Sequence, residues 1–429
     1  MSELSRRRFL QLTAGVGAVA ALPGLRNGAW AAGDDAGPER GEWLAGDFHV
    51  HTTWSHDVWG SPDDDNTETP HEAYTLGWTP AEQIRNAELR GLHFVALTDH
   101  NRIRILDDPG WRSDKLVLVP GYEHSLSHGH AGVFIPSADD LRAVFYEALA
   151  VEDGRAHGFG GPGGLAAFLD AVHAADGVTT INHPADHGTW KGPIAESQGF
   201  DAVEAWNSSW LQRRNVTPEV YTDNYLAAQW WEDNFLGGGK RKAITGGSDN
   251  HWRATTAVQG VGQPTTWVYA KDRKASSIIE GVRAGRTFVS SQPPAFNGAR
   301  VFVEVAEDWA NGKTGVLPGG VVRALGPLAI TIRVENGTGQ ILRLIANGGV
   351  VATGPIDSPL VTQTFYATLD RGGCLRAELY ADPGYAMGCL TSAVYADAVE
   401  TAPEPVQRNP HHGTPPSYSS PLDVLPTIF

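Results

Sequence analysis

Over the first two-thirds of the chain, short apolar runs of strand length alternate with stretches whose apolar positions recur every three or four residues. Asp47–Val50, Phe94–Thr98, Leu116–Val119, Val178–Ile181, Ala202–Trp206 and Ala243–Thr245 are the short runs. Runs of this kind suit strands covered on both faces. Between them, Thr79-Pro80-Ala81-Glu82 reads as a capping box with proline at the first helical position, and Gly91 closes the helix it opens. Gly164–Ala175 places Leu165, Phe168, Leu169 and Val172 on one helical stripe. A Trp-rich helix is expected near Tyr221–Phe235 and another over Ser276–Ala284. This alternation predicts an α/β unit over residues 42–292, a parallel sheet or barrel with its site at the strand C-terminal ends.

The grammar changes after Pro293-Pro294. Val301–Val305, Leu328–Val334, Ile341–Ala346, Phe365–Thr368, Leu375–Tyr380 and Thr391–Tyr395 alternate apolar and polar residues between Gly, Asn and Asp turns. They predict a small antiparallel β-sandwich over residues 293–400. From Thr401 onward seven of 29 residues are proline, so 401–429 reads as a Pro-rich tail.

The N-terminus changes the picture of where the protein works. Ser5-Arg6-Arg7-Arg8-Phe9-Leu10-Gln11 is a twin-arginine motif, Leu12–Leu25 is a mildly apolar run, and Ala29-Trp30-Ala31 is a small-x-small cleavage site. The run of about 14 residues is short of the ~20 needed to span a bilayer. Residues 1–31 are therefore expected to be an export signal, with a periplasmic or secreted mature chain free of the membrane. Removing the signal's four arginines and one glutamate takes the formal net charge from −16 to −19. Such an acidic chain repels phosphate polymers and anionic lipid, which excludes polymeric nucleic acid and favours a small-molecule substrate. Of the two cysteines, Cys374 falls at the far end and Cys389 near the turn of a hairpin around Asp382-Pro383-Gly384. Free thiols are expected.

Five polar segments close the short runs. They are Asp47-Phe-His49-Val-His51 with Ser55-His56-Asp57, Thr98-Asp99-His100, Gly121-Tyr-Glu123 with Gly129-His130, Asn182-His183-Pro184, and Ser248-Asp249-Asn-His251. Residues two apart on a strand share a face, so His49 and His51 project into one site. A lone histidine at a strand end is usually a hydrogen-bonded structural residue. Five histidine- and carboxylate-bearing segments, all where α/β folds place their sites, favour a metal centre instead.

The ordered set HxH with Asp57, TDH, a glutamate after a Pro-Gly turn, NHP and SDxH resembles the PHP (polymerase and histidinol phosphatase) metallohydrolase family. Gly129-His130, Glu204-Ala-Trp-Asn207, Val261-Gly-Gln-Pro264, Glu280–Ser290 and Leu390–Tyr395 add a likeness to its CehA/McbA branch. The resemblance implies a distorted (β/α)7 barrel holding two or three divalent metals, for which zinc, manganese and iron all suit the donor set. It assigns one metal to His49, His51, Glu123 and Asp249. A second shares Glu123 and adds His130 and His183, and a third takes Asp57, His100 and His251. Position 57 is Asp where some relatives carry His, with His56 beside it. Asp99 and Asn207 are expected to orient ligands, and His187, Lys191 and Arg253 are candidate substrate contacts.

The chemistry so implied is hydrolysis by a metal-bridging hydroxide, since metals lower the pKa of bound water toward about 7. Phosphoester cleavage is the leading expectation. Ester, amide or carbamate cleavage is the second, because Trp54, Trp59, Trp190, Trp206, Trp210 and Trp252 lie within or beside the ligand segments. A non-catalytic metal-containing binding protein is the third.

Overall fold

The computed structural model describes residues 41–58, 77–127, 129–160, 163–185, 190, 199–208, 214–216, 219–221, 223–236, 240–251, 253, 260–306, 315–323, 326–381 and 386–397. The signal segment 1–31 and the tail 401–429 lie outside them. The described residues form a mixed α/β structure, rich in strands and poor in helices.

The strands are β1 (Glu42–Asp47), β2 (Phe94–Val95), β3 (Val117–Leu118), β4 (Gly121–Leu126), β5 (Gly129–Phe134), β6 (Leu149–Glu152), β7 (Arg155–Phe159) and β8 (Val178–Asn182). There follow β9 (Ala202–Asn207), β10 (Arg214–Val216), β11 (Glu219–Tyr221), β12 (Ala243–Gly247), β13 (Thr265–Ala270) and β14 (Thr287–Ser290). The C-terminal module holds β15 (Arg300–Ala306), β16 (Val321–Val322), β17 (Leu328–Glu335), β18 (Gln340–Ala346), β19 (Gly349–Pro355), β20 (Leu360–Ala367), β21 (Cys374–Ala381), β22 (Ala386–Thr391) and β23 (Val394–Ala396). The α-helices are α1 (Pro80–Leu89), α2 (Ala138–Ala148), α3 (Gly164–Ala174), α4 (Asp223–Asn234) and α5 (Ala275–Arg283).

Two sheets carry the N-terminal part of the described chain. One runs β12-β9-β8-β5-β4, and the other contains β13-β1-β2-β3. Isolated parallel bridges Val50–Asn250 and His100–Glu123 join their strand ends. Pairing is parallel at β1–β2, β2–β3, β8–β9 and β9–β12. It is antiparallel at β4–β5 and β5–β8. The expected all-parallel rhythm fails there for a simple reason: the two residues 127 and 128 separate β4 from β5, too few for a crossover helix, so the chain must turn back as a hairpin. Beneath the ligand-bearing ends lies an apolar cluster including Leu44, Phe48, Phe94, Val119, Phe134 and Val178, together with Ile278, Ile279 and Val282 of α5.

Several elements follow local chemistry closely. Thr79 accepts from the Glu82 amide while Glu82 returns to the Thr79 amide, so the capping box forms as read. Helix α3 buries Phe168, Leu169 and Val172, with Leu165 packed beside them. The first strand, however, is Glu42–Asp47 rather than Asp47–Val50, and His49 and His51 follow it in extended chain.

The C-terminal module is antiparallel apart from β16, which runs parallel to β23. Strand β22 pairs with β14, so the sheet containing β1 continues into the module without a break. Leu379 of β21 faces Cys389 while Cys374 faces Tyr395 on β23. Both cysteines are free and buried. Gly281 of α5 lies against β13, and an alanine Cβ there would stand 2.7 Å from the Tyr269 carbonyl oxygen. Gly281→Ala is therefore expected to destabilise the protein by about 2 kcal/mol through overpacking, read as a lowered urea midpoint with an unchanged m-value.

Candidate metal centre

The donors arrive from strand ends. His49 and His51 follow β1, His100 follows β2, His183 follows β8, and Asp249 and His251 follow β12. Glu123 sits within β4 and His130 on its hairpin partner β5, while Asp57 comes from the loop after His51. All nine converge. Four overlapping groups each place their ligand atoms within 4.8 Å of one another: His51, Asp57, His100 and His251; His49, His51 and Asp249; His49, Glu123 and His183; His100, Glu123 and His130. Glu123 therefore stands between two groups, as do His49, His51 and His100. Two of the ligands adopt left-handed backbone, His183 at φ 30° and Asp249 at φ 50°, a strain that persists where the surroundings impose it.

The spacing and the unsatisfied atoms test whether cations fit. Glu123 Oε2 lies 3.1 Å from His49 Nε2 and 3.2 Å from both His51 Nε2 and His100 Nε2. Asp249 Oδ1 lies 3.3 and 3.2 Å from His49 Nε2 and His51 Nε2. Yet Glu123 Oε2, Asp249 Oδ1 and Asp57 Oδ1 are buried and accept no hydrogen bond. Donors held at ~2.1 Å around a tetrahedral cation lie about 3.4 Å apart, so these atoms have ligand-to-ligand spacing rather than hydrogen-bond geometry. The residues present fit a cluster of divalent cations.

Supporting groups fix the donors' orientation. Glu204 Oε1 is 2.9 Å from His49 Nδ1, which keeps that proton on Nδ1 and leaves Nε2 for a cation. Glu204 Oε2 accepts from the His183 amide and from Asn207 Nδ2, which also donates to Asp249 Oδ2 at 3.1 Å. His51 Nδ1 lies 3.0 Å from Ser55 Oγ, and His251 Nδ1 lies 2.9 Å from the Asp249 carbonyl. Asn182 Nδ2 donates to Glu123 Oε1. Asp47 accepts from the amides of His49, Ser248 and Gly262, tying three segments together. Asp99 accepts from the amide and hydroxyl of Thr52, so it clamps the turn after His51.

Among the candidate substrate contacts, Arg253 is turned to helix α1. Its guanidinium donates to both carboxylate oxygens of Glu82 at 2.9 and 2.7 Å, its Nε to the Gly77 carbonyl, and it lies over the Trp78 ring. These partners hold the guanidinium beside the N-terminus of α1. His187 and Lys191 lie outside the described residues, as do Trp59, Trp210 and Trp252. Trp190 packs against Gly129 beside His130 and donates to the Asn182 carbonyl; Trp54 donates to Asp108. Trp206 is buried. His56 stacks obliquely on His100 with ring centroids 5.3 Å apart. Asp57 and His130, with 34% and 33% of their side chains exposed, mark the open side of the cluster.

Sequence reasoning did not assign roles to Glu204, Ser55, Asn182 or Asp47. Glu204 stood within a motif, but what it touches is seen only with β9 packed beside β12 and its carboxylate reaching His49.

Electrostatics express the conflict of packing these groups together. Burial alone would lower the His251 imidazole, but Asp57 and Asp249 outweigh it and push it up to about 10. His183 goes the same way, to about 9, against burial and through Glu123 first. For His100 burial wins and the ring falls to about 4. Burial would raise Glu123 and Asp249, but facing imidazoles, His49 first in both cases, hold them well below the usual carboxylate range. Asp99 is raised by burial to about 6.

Comparison with known proteins adds the following. Residues 3–23 match the TAT (twin-arginine translocation) pathway signal sequence. The chain is routed by twin-arginine export to the periplasm or beyond. Among the described residues no helix is long and apolar enough to cross a membrane. No curated protein matches the sequence. Among solved structures, the chain is similar to a two-domain protein from Bacteroides vulgatus ATCC 8482 described as containing a predicted PHP-like metal-dependent phosphoesterase. Identity is 15%, coverage 86% of this chain and 99% of that one, and the TM-score 0.39. It is also similar to an amidohydrolase from Chromobacterium violaceum with bound sulfate and no metal, at 15% identity, 49% and 88% coverage and a TM-score of 0.31.

Two outcomes follow. Because His183 and His251 hold protons at neutral pH without a cation, metal binding should release protons. Affinity should then fall at least about tenfold per pH unit from about pH 8 to 7, measured by calorimetry in buffers of different ionisation enthalpy. Glu204→Gln should weaken metal binding by roughly 10- to 100-fold in a chelator competition, through loss of the carboxylate behind His49.

Proposed function

We propose that the protein is an exported metal-dependent hydrolase of the PHP type, resembling the CehA/McbA branch, and that it cleaves phosphoester bonds in small molecules. In this reading residues 42–292 form a distorted (β/α)7 barrel, with β1, β2, β4, β5, β8, β9 and β12 around it, and residues 293–400 form a β-sandwich module. The observation that carries it is the convergence of six imidazoles and three carboxylates, three of whose buried oxygens accept no hydrogen bond.

Two or three divalent cations bound there, zinc, manganese or iron, would supply Lewis acidity and a hydroxide at neutral pH. The chain's own part is to hold and orient. Glu204, Ser55 and the Asp249 carbonyl set the ring protons of His49, His51 and His251, so that each turns its other nitrogen inward. Asn182 and Asn207 hold the carboxylates of Glu123 and Asp249 in place. Asp57 and His130 border the side open to substrate. Three carboxylates leave a cluster of two or three dications positive, which favours an anionic phosphoester. The acidic chain around it, at −16, disfavours polymeric nucleic acid.

Trp190 beside His130 supports a second reading, hydrolysis of an aryl ester, amide or carbamate whose ring would pack on the indole. The two readings separate in a kcat/KM comparison of the metal-loaded protein on p-nitrophenyl phosphate, bis(p-nitrophenyl) phosphate and an aryl carbamate. Phosphoesters should be preferred, and His49→Ala/His51→Ala should reduce turnover to background. Preference for the carbamate favours the second reading. Turnover of none of a broad panel with metals bound would leave a binding protein.

A further inference from the structure

Strand β12 delivers Asp249 and His251, yet among the described residues its one strand partner within the sheet is β9. Its other edge would present bare amides and carbonyls, a costly state for buried backbone. Side chains from β13, β14 and the C-terminal module fill that edge in register. The Ile244 amide donates to Ser392 Oγ at 3.0 Å, and Thr287 Oγ donates to the Ile244 carbonyl at 2.7 Å. The two hydroxyls lie 2.7 Å apart. With the Thr287 proton on Ile244, Ser392 is the donor between them, and the ring of four groups is closed. Two residues on, Thr266 Oγ both accepts from the Gly246 amide and donates to the Gly246 carbonyl, each at 2.7 Å. Two residues before, the Lys242 carbonyl accepts from Trp231 Nε1 at 3.1 Å and Tyr395 Oη at 3.5 Å. Thr266, Thr287, Ser392 and Ile244 are all at most 2% exposed. At the strand's far end the same edge reaches the centre, where the Ser248 amide donates to Asp47.

We infer that the C-terminal β module is part of the metal centre's scaffold: Ser392, acting with Thr287, is a positioning residue that sets the register of β12 and so the places of Asp249 and His251. The module supplies Ser392 and Tyr395 from the Leu390–Tyr395 segment, and the Ser392 amide is itself anchored on the Thr287 carbonyl. The inference rests on the metal-centre reading, and the experiment separates the two.

The test is a zinc titration of the full mature chain against a competing chelator. It compares wild type with Ser392→Ala, Thr287→Val, the hydroxyl-retaining Ser392→Thr and Thr287→Ser, and Val303→Ala as a destabilised control in β15. The first two should bind zinc on the order of tenfold more weakly, as outer-sphere losses do. The hydroxyl-retaining variants should recover most of that affinity. Val303→Ala should unfold at lower temperature with zinc affinity unchanged. Zinc affinity equal to wild type in Ser392→Ala, alongside a Val303→Ala-like loss of stability, would overturn the inference and leave the metal reading standing. A wild type that binds no zinc, manganese or iron overturns both. Should Thr287→Val not fold, Ser392→Ala with Ser392→Thr decides alone.

Discussion

Three carboxylates and six imidazoles share one largely buried space, and the surrounding structure answers to that constraint. Burying a carboxylate costs several kcal/mol unless a partner of opposite charge is close. Protons could serve only in part. The facing carboxylates drive His183 and His251 toward protonation, while burial holds His100 neutral, so the groups make incompatible demands within a few ångströms. Cations meet all of those demands at once, since each donor then turns an unprotonated atom inward. The orphaned oxygens of Glu123, Asp57 and Asp249 are what such a site looks like from the protein's side.

The five polar segments could be read from the sequence because they close apolar runs, and the family resemblance picked out within them the nine residues that the structure brings together. Asp57, and not His56, stands in the group with His51, His100 and His251. What could not be read is whatever depends on neighbours distant in the chain. Glu204 reaches His49 across 155 positions, and Arg253 finds Glu82 across 171. Neither partner could be named from the residues around His49 or Arg253 alone. The β4–β5 hairpin was hidden for another reason: Gly121–Phe134 has no apolar alternation clear enough to mark two strands, since both are buried and carry ligands.

The C-terminal module is joined to the site-bearing half by more than a linker. Strand β22 extends the sheet of β1 through β14, and Ser392 and Tyr395 reach the open edge of β12. Arg376 of β21, itself buried, pairs with Glu232 of α4 and Glu378 of its own strand. The contacts along the β12 edge tie Ile244 to Ser392 and Lys242 to Tyr395, 148 and 153 positions further along the chain.

The central claim is that the nine donors hold a polynuclear metal centre, and anomalous diffraction from crystals of the protein tests it most directly. The account predicts two or three anomalous peaks around the Glu123 carboxylate, about 3.5–4 Å apart as in other multinuclear sites. Crystals grown with zinc or manganese that show no peak among His49, His51, Glu123, Asp249 and His251 would contradict it.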